Sequence, residues 1–130
     1  MKISIIGDGG WGCANALLLN NAGHEVTIWG AFPDYIEEMK RTRRNDRFLK
    51  GVELPISINL TADCAEAVKD AEVVVFAPPS KFFSAVAEKF KGLISDKQLV
   101  VSLTKGLCEH ADKRMTELAA EILGVDGVVA

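Results

Sequence analysis

The chain has 130 residues, 48% of them hydrophobic and 25% charged, so it can form one domain with a core of its own. Its formal net charge of −3 gives no support to a nucleic-acid partner, and no apolar run in the sequence is long enough to span a bilayer. The three cysteines have no spacing typical of a metal site, which favours reduced thiols, a cytoplasmic protein and no bound metal.

The chain begins with a strand, a glycine-rich turn and a helix. Residues 2–6 are an apolar strand, and an Ala- and Leu-rich helix is predicted over residues 10–21. Gly7, Gly9 and Gly12 have the spacing G-x-G-x-x-G, in which successive glycines permit the tight turn, the approach of a pyrophosphate and close helix packing. The helix N-terminus adds free N–H groups and a positive dipole end. The segment therefore predicts a dinucleotide site; the alternative is a plain strand–helix turn that binds nothing.

The second strand, residues 25–29, completes a strand–helix–strand unit of about 30 residues. At its end a dinucleotide-binding domain carries Asp or Glu for a ribose 2′-hydroxyl, or Arg for a 2′-phosphate. This chain has Gly30 and Ala31 there. The choice between NAD and NADP is left open, and the absence of a basic residue slightly favours NAD.

Strands and helices alternate along the rest of the chain. The predicted elements are a helix at 33–43, a turn-rich connection at 45–55, a strand at 55–60, a helix from 61 or 62 to 69, a strand at 72–77, a helix at 81–90 capped by Ser80, a strand at 98–103, a helix at 110–123 and the start of a strand at 126–130. This alternation predicts an α/β doubly wound parallel sheet, the Rossmann fold, with strand order 3-2-1-4-5-6 in a single domain over residues 1–130. Because the sequence stops within an apolar strand, we expect a fragment of a longer two-domain enzyme.

Three further side chains are candidates for function. Ligands of open α/β sheets bind at the carboxyl ends of the strands, where Phe82 and Lys105 follow the fourth and fifth strands. Phe82 either faces the cofactor cleft or belongs to the core, and Lys105 either meets an anionic or carbonyl substrate or is a solvated loop residue. Cys13 lies near a helix N-terminus, which can lower a thiol pKa, but packing under the turn is the favoured interpretation.

Four motifs in order resemble the N-terminal domain of NAD(P)-dependent glycerol-3-phosphate dehydrogenase. Residues 7–12 resemble the family's G-x-G-x-W-G, and residues 45–55 resemble its N-x-x-Y/F-L-P-G-x-x-L-P element. Residues 76–82 are similar to its apolar strand, proline and aromatic residue, and residues 102–107 to its lysine–glycine element. The likeness covers the whole chain.

The resemblance implies a reaction and a set of site residues. The reaction is reversible hydride transfer between NAD(P)(H) and dihydroxyacetone phosphate, giving sn-glycerol 3-phosphate, a precursor for phospholipid biosynthesis. The implied roles are pyrophosphate binding by Gly7, Asp8, Gly9, Gly10, Trp11 and Gly12, with Gly10 and Trp11 beside the nicotinamide half, Ala31 beside the adenosine ribose, Phe82 lining the cofactor cleft and Lys105 orienting the substrate.

The family also implies a second, helical domain that carries the principal catalytic lysine and much of the phosphate site. With that domain absent, we expect the 130-residue chain to bind dinucleotide without turning over substrate. The sequence leaves the oligomeric state open, and a homodimer is one assembly of the whole enzyme compatible with the resemblance.

The chain departs from the family pattern at three positions. Asp8 replaces a small residue, and its charge would disfavour a pyrophosphate unless it points away. Ala31 replaces a common arginine, and Lys50 a common proline.

Two alternative functions are weighed. One is another two-domain dehydrogenase, of the ketopantoate reductase or nucleotide-sugar dehydrogenase type, against which the elements at 45–55 and 104–106 argue. The other is a non-catalytic NAD(P)-sensing domain, which would have no use for Lys105.

Overall fold

The structure, a computed structural model, describes residues 1–104, 114–125 and 128. Its elements in chain order are β1 (Lys2–Ile6), α1 (Gly10–Asn21), β2 (Glu25–Trp29), α2 (Pro33–Thr42), β3 (Arg44–Asn45), β4 (Leu49–Glu53), β5 (Asn59–Thr61), α3 (Cys64–Val68), β6 (Val73–Phe76), a 3-10 turn (Ser80–Phe82), α4 (Phe83–Lys89), β7 (Leu99–Ser102) and α5 (Met115–Leu123). Lys105 and most of the strand predicted at 126–130 lie outside the described residues.

The central sheet is parallel, with the order β5-β2-β1-β6-β7. Counted by their order along the chain, these strands run 3-2-1-4-5, which confirms the predicted doubly wound α/β fold for the part of the sheet that is described. The strand order reverses beside β1, whose Ile5 pairs with Ile28 of β2 on one side and Val75 of β6 on the other. In such sheets a crevice opens at this switch point, outside the carboxyl ends of the strands.

Helices cover both faces of the sheet, so the central strands are apolar on both faces. On one face Phe76 and Phe83 pack with Phe90, which meets Trp29 edge-on with 5.0 Å between ring centroids. On the other face the core includes Ile5, Ile28, Ile36, Met39 and Leu54. Fully burying one side chain of this size contributes about 1.5–3 kcal/mol to the free energy of folding. The two apolar layers therefore fix the position of the strands and of the crevice at their carboxyl ends.

The segment predicted as a turn-rich connection contains an antiparallel hairpin. In it β3 pairs with β4 through Arg44–Glu53 and Asn45–Leu49, with an irregularity between the two pairs. A strand of two polar residues has no alternating pattern, which is why the sequence did not reveal it. The hairpin brings Phe48 next to the glycine turn, where its carbonyl oxygen lies 2.6 Å from a Cβ built on Gly10.

Three predicted boundaries also differ from the structure. The third sheet strand begins at Asn59 because Ile58 donates its N–H to the Pro55 carbonyl in a turn. The helix predicted from 61 or 62 begins at Cys64, because Asp63 caps it: its carboxylate accepts the Glu66 N–H at 2.8 Å. The predicted cap Ser80 instead begins the 3-10 turn that precedes α4, where Pro79 occupies the cap position.

Candidate functional site

Three positions of the glycine turn after β1 have no room for a side chain: Gly7, Gly12 and Gly10, where a Cβ would meet the Phe48 carbonyl oxygen. Gly7 has φ +131°, and a Cβ there would also lie 3.1 Å from the main chain of Ala77. A Cβ on Gly12 would lie 2.4 Å from the Gly7 carbonyl oxygen, so α1 can approach the turn only at a glycine. Hydrogen bonds hold the start of the turn from both sides of β1. The Gly7 N–H donates to the Trp29 carbonyl, and the Ala77 N–H donates to the Ile6 carbonyl, both at 2.9 Å.

Gly9 leaves the N-terminus of α1 open. It occupies the cap position with extended backbone, without a side-chain cap bond, and the first turn carries no acidic residue. A Cβ built on Gly9 meets nothing within 4 Å. Free N–H groups, the positive end of the helix dipole and bare backbone together make a cradle that fits a pyrophosphate.

A cleft of about 830 Å³ opens from this cradle along the carboxyl ends of β1, β2, β6 and β7. Its walls carry four aromatic side chains that are each at least half exposed: Trp11, Phe32, Phe48 and Phe82. A second cavity of similar volume lies near the amino ends of β6 and β7, lined by residues such as Glu72 and Gln98. We assign the site to the first cleft because ligands of open α/β sheets bind at the carboxyl ends.

Most of the site residues predicted from the sequence meet in this cleft. Its lining includes Gly7, Asp8, Gly9, Gly10, Trp11, Ala31 and Phe82. Gly12 packs beneath the turn, and Lys105 lies outside the described residues. Of the two alternatives for Phe82, the structure has the cleft: it is 51% exposed, and its neighbour Phe83 fills the core instead.

Sequence reasoning missed the side chain that fixes the turn. Asn45, at the end of β3, is buried and donates from Nδ2 to the Asp8 carbonyl at 2.7 Å and to Cys13 Sγ at 3.1 Å. Its Oδ1 accepts the Tyr35 hydroxyl, which in turn accepts the Arg47 N–H at 3.2 Å. A buried amide needs partners on both of its ends, and here they belong to the turn, to α1 and to α2. The only sequence signal for Asn45 is its place as the first residue of the element at 45–55.

Cys13 packs under the turn, which is the interpretation that the sequence favoured. The thiol is buried and contacts the Asp8 carbonyl and the Asn45 amide. Burial raises the pKa of the Cys13 thiol to about 11, so at neutral pH it is a small apolar group and no nucleophile.

The Asp8 carboxyl lies against the end of β2. Its Oδ2 is 2.5 Å from a Cβ built on Gly30, next to the Ile36 side chain. This oxygen is buried and, among the described residues, is the one buried side-chain polar atom without a hydrogen-bond partner. Burial raises the Asp8 pKa, opposed by its own backbone N–H and by the positive charge of Arg47, which stacks 4.3 Å above the Tyr35 ring.

Within the described residues, no group of three or more potential ligand side chains is arranged to hold a metal ion. No helix in those same stretches is long and apolar enough to cross a bilayer.

Comparison with known proteins gives a consistent family. A family model described as NAD-dependent glycerol-3-phosphate dehydrogenase N-terminus matches residues 2–130. The glycerol-3-phosphate dehydrogenase (NAD(P)+) 2 of Lactobacillus delbrueckii subsp. bulgaricus is 40% identical over 126 residues, which are 97% of this chain and 37% of that protein.

Solved structures extend the likeness to the fold. Glycerol-3-phosphate dehydrogenase from Coxiella burnetii superposes with a TM-score of 0.87 at 30% identity, over 95% of this chain and 38% of that one. A ketopantoate reductase from Ralstonia eutropha JMP134 gives a TM-score of 0.73 at 25% identity, over 96% of this chain and 39% of that one. The chain thus spans less than two-fifths of the length of these relatives. On the match over residues 2–130, the chain belongs to the family of N-terminal domains of NAD-dependent glycerol-3-phosphate dehydrogenases.

Proposed function

We propose that residues 1–130 are the cofactor-binding domain of an NAD(P)-dependent enzyme that interconverts sn-glycerol 3-phosphate and dihydroxyacetone phosphate. The observation that carries the proposal is the continuous cleft that joins the open N-terminus of α1 to the aromatic walls around Trp11 and Phe82. The family relationship supplies the reaction, since relatives such as the Lactobacillus delbrueckii protein are named glycerol-3-phosphate dehydrogenases. A ketopantoate reductase shares the fold at lower similarity, which gives the alternative reaction less support.

The residues of the chain bind and orient in this proposal. The main chain of residues 7–12 holds the pyrophosphate, Ala31 lies beside the adenosine ribose, and Trp11 and Phe82 flank the nicotinamide half and keep water from it. When bound, the cofactor supplies the hydride. Lys105, next along the chain from the Thr104 that lines the cleft, would contact the phosphate or carbonyl side of the substrate. Action as a homodimer in the cytoplasm is part of the same proposal.

Titration with NADH and NADPH by calorimetry tests the cofactor site. We expect saturable binding to the 130-residue chain, and its loss in Gly9→Val, because the added methyl groups would fill the open space above the turn. Ile56→Val, at an 83% exposed position outside the cleft, is the control and should bind as the parent chain does. Circular dichroism checks that Gly9→Val remains folded. Absence of binding to the parent chain, or undiminished binding to Gly9→Val, would contradict the proposal.

A further inference from the structure

The end of β2 has no side chain that can recognise the ribose. In dinucleotide-binding sheets an Asp or Glu at this end accepts a hydrogen bond from the 2′-hydroxyl, and this chain has Gly30 and Ala31. The structure nevertheless has a carboxylate at the same place, because the Asp8 side chain reaches across from the glycine turn and lies against Gly30.

Asp8 and Gly30 fit each other and exclude a side chain on β2. A Cβ on Gly30 would lie 2.5 Å from Asp8 Oδ2, 2.9 Å from Asp8 Cγ and 2.7 Å from Ile36 Cδ1. Each distance is shorter than a carbon atom tolerates, so any larger residue at position 30 would displace the carboxylate. The carboxylate at the end of β2 therefore comes from the glycine turn, and the absence of a side chain at Gly30 leaves room for it.

The Asp8 residue is held in place, but one oxygen of its carboxylate lacks a partner among the described residues. Its main-chain carbonyl accepts hydrogen bonds from Asn45 Nδ2 at 2.7 Å and from Cys13 Sγ at 3.5 Å, which fix the residue in the turn. Its Oδ2 is buried and unpartnered within the described residues, and Asp8 belongs to the lining of the cleft. A buried acceptor without a donor costs free energy. A ribose hydroxyl that enters the cleft at Asp8 would supply the donor and recover part of that cost, once a small movement of the side chain brings Oδ2 to the cleft surface.

Charge gives the same group a means of rejecting a ligand. A 2′-phosphate placed at this end of β2 would face a partly desolvated carboxylate, and close like charges cost several kcal/mol in a binding site. The nearby positive charge is Arg47, whose exposed guanidinium stacks on Tyr35 and is screened by solvent. At the ribose, the negative charge of Asp8 therefore has a larger electrostatic effect than the positive charge of Arg47.

We propose that Asp8 is the specificity-determining residue for the cofactor: its carboxylate accepts a hydrogen bond from the adenosine 2′-hydroxyl and repels a 2′-phosphate. This inference rests on the proposed function, since it concerns the same cleft. It makes the protein selective for NAD(H) although the carboxyl end of β2 carries no acidic residue.

Calorimetric titration of the 130-residue chain with NADH and with NADPH, compared with Asp8→Asn, tests the inference. We expect the parent chain to bind NADH at least about tenfold more tightly than NADPH, and Asp8→Asn to lose most of that ratio through tighter binding of NADPH. Asp34→Asn is the matched control. It changes the net charge equally but replaces an exposed acid of α2 that is not part of the cleft lining, so the ratio should stay as in the parent chain.

A second variant makes the test independent of the asparagine side chain. Gly30→Ala, which would displace the carboxylate, should reduce the NADH preference in the same direction as Asp8→Asn. Equal ratios in the parent chain and Asp8→Asn, or a parent chain that prefers NADPH, would overturn the inference while leaving the proposed function standing. No saturable binding of either cofactor to the parent chain would overturn both.

Discussion

At the scale of single residues, the Asp8 side chain lowers the stability of the folded chain at neutral pH. Its carboxyl is buried beside Gly30 with an unpartnered oxygen, and burial raises its pKa above the ordinary value of 3.8. A carboxyl whose pKa is higher in the folded than in the unfolded chain binds its proton more tightly when folded. The folded state is therefore favoured most while the group is protonated, and this advantage is lost as the pH rises through the folded-state pKa.

We therefore predict that Asp8→Asn raises the free energy of unfolding at pH 7. The isosteric amide keeps the shape of the side chain and removes the buried charge. The gain over the parent chain should shrink as the pH falls through the raised pKa of folded Asp8, and it should be smallest below 3.8, where the carboxyl is mostly protonated in the folded and the unfolded chain. Urea unfolding followed by circular dichroism at a series of pH values measures the difference. A variant less stable than the parent at pH 7, or a gain that grows on acidification, would refute this account of Asp8.

At the scale of elements, the hairpin β3–β4 and helix α2 act together as a brace for the glycine turn. Tyr35 of α2 donates its hydroxyl to the Asn45 amide oxygen and accepts the N–H of Arg47 in the hairpin loop. The Arg47 guanidinium also stacks on the Tyr35 ring. The brace ends on the Asp8 carbonyl, 37 residues away along the chain from Asn45. The shape of the glycine turn thus depends on residues of α2 and the hairpin that are distant from it along the chain.

We predict that Asn45→Ala lowers the free energy of unfolding by about 1–3 kcal/mol, because it leaves the Asp8 carbonyl and the Tyr35 hydroxyl without their buried partner. Asn59→Ala is a matched control at an exposed position of β5, where the change should stay within about 0.5 kcal/mol. Urea denaturation midpoints of the two variants give the comparison. Equal effects at the two sites would show that the brace contributes nothing to stability.

The elements that the sequence predicted best are those bounded by glycine. The limits of β1, α1 and β2 agree with the structure to the residue, since Gly7 ends the strand, Gly9 caps the helix and Gly23, with φ +95°, follows its end. The hairpin and its contact with the turn could not be predicted in this way. Local patterns carry information over one or two turns of chain, whereas the Asn45–Asp8 hydrogen bond joins residues that only the tertiary fold brings together.

At the scale of the whole molecule, the sheet order followed from a few chain-folding rules. Right-handed crossovers and alternating elements predict a doubly wound sheet, and the glycine turn favours the dinucleotide-binding order, in which β1 lies between β2 and β6. The described strands agree with that arrangement. The same reasoning located the cleft, because the switch point of the sheet is a property of strand order. What strand order cannot supply is the direction of a side chain such as Asp8, which is decided by the space at Gly30.

We predict that Phe90→Ala lowers the free energy of unfolding by about 3–5 kcal/mol, because Phe90 is fully buried between Trp29 and Phe76 and its loss leaves a cavity. A loss of this size is a large share of the roughly 5–15 kcal/mol that stabilises a domain. Phe82→Ala removes the same side chain from the half-exposed cleft wall and should cost far less. Thermal and urea melts of the two variants provide the test, and equal losses would contradict the described core.

The two tryptophans of the chain lie in opposite environments. Trp11 is 64% exposed at the cleft, whereas Trp29 is 2% exposed, packs against Phe90 and donates its ring N–H to the Ala62 carbonyl at 3.1 Å. Indole fluorescence shifts to longer wavelength in water, so Trp11 emits in the red part of the spectrum and Trp29 in the blue. The protein consequently carries two intrinsic optical reporters. A ligand in the cleft acts first on the red component, because Trp11 is the exposed one of the two tryptophans that line the cleft, while unfolding moves the blue component into the red. One emission spectrum thus distinguishes the two events.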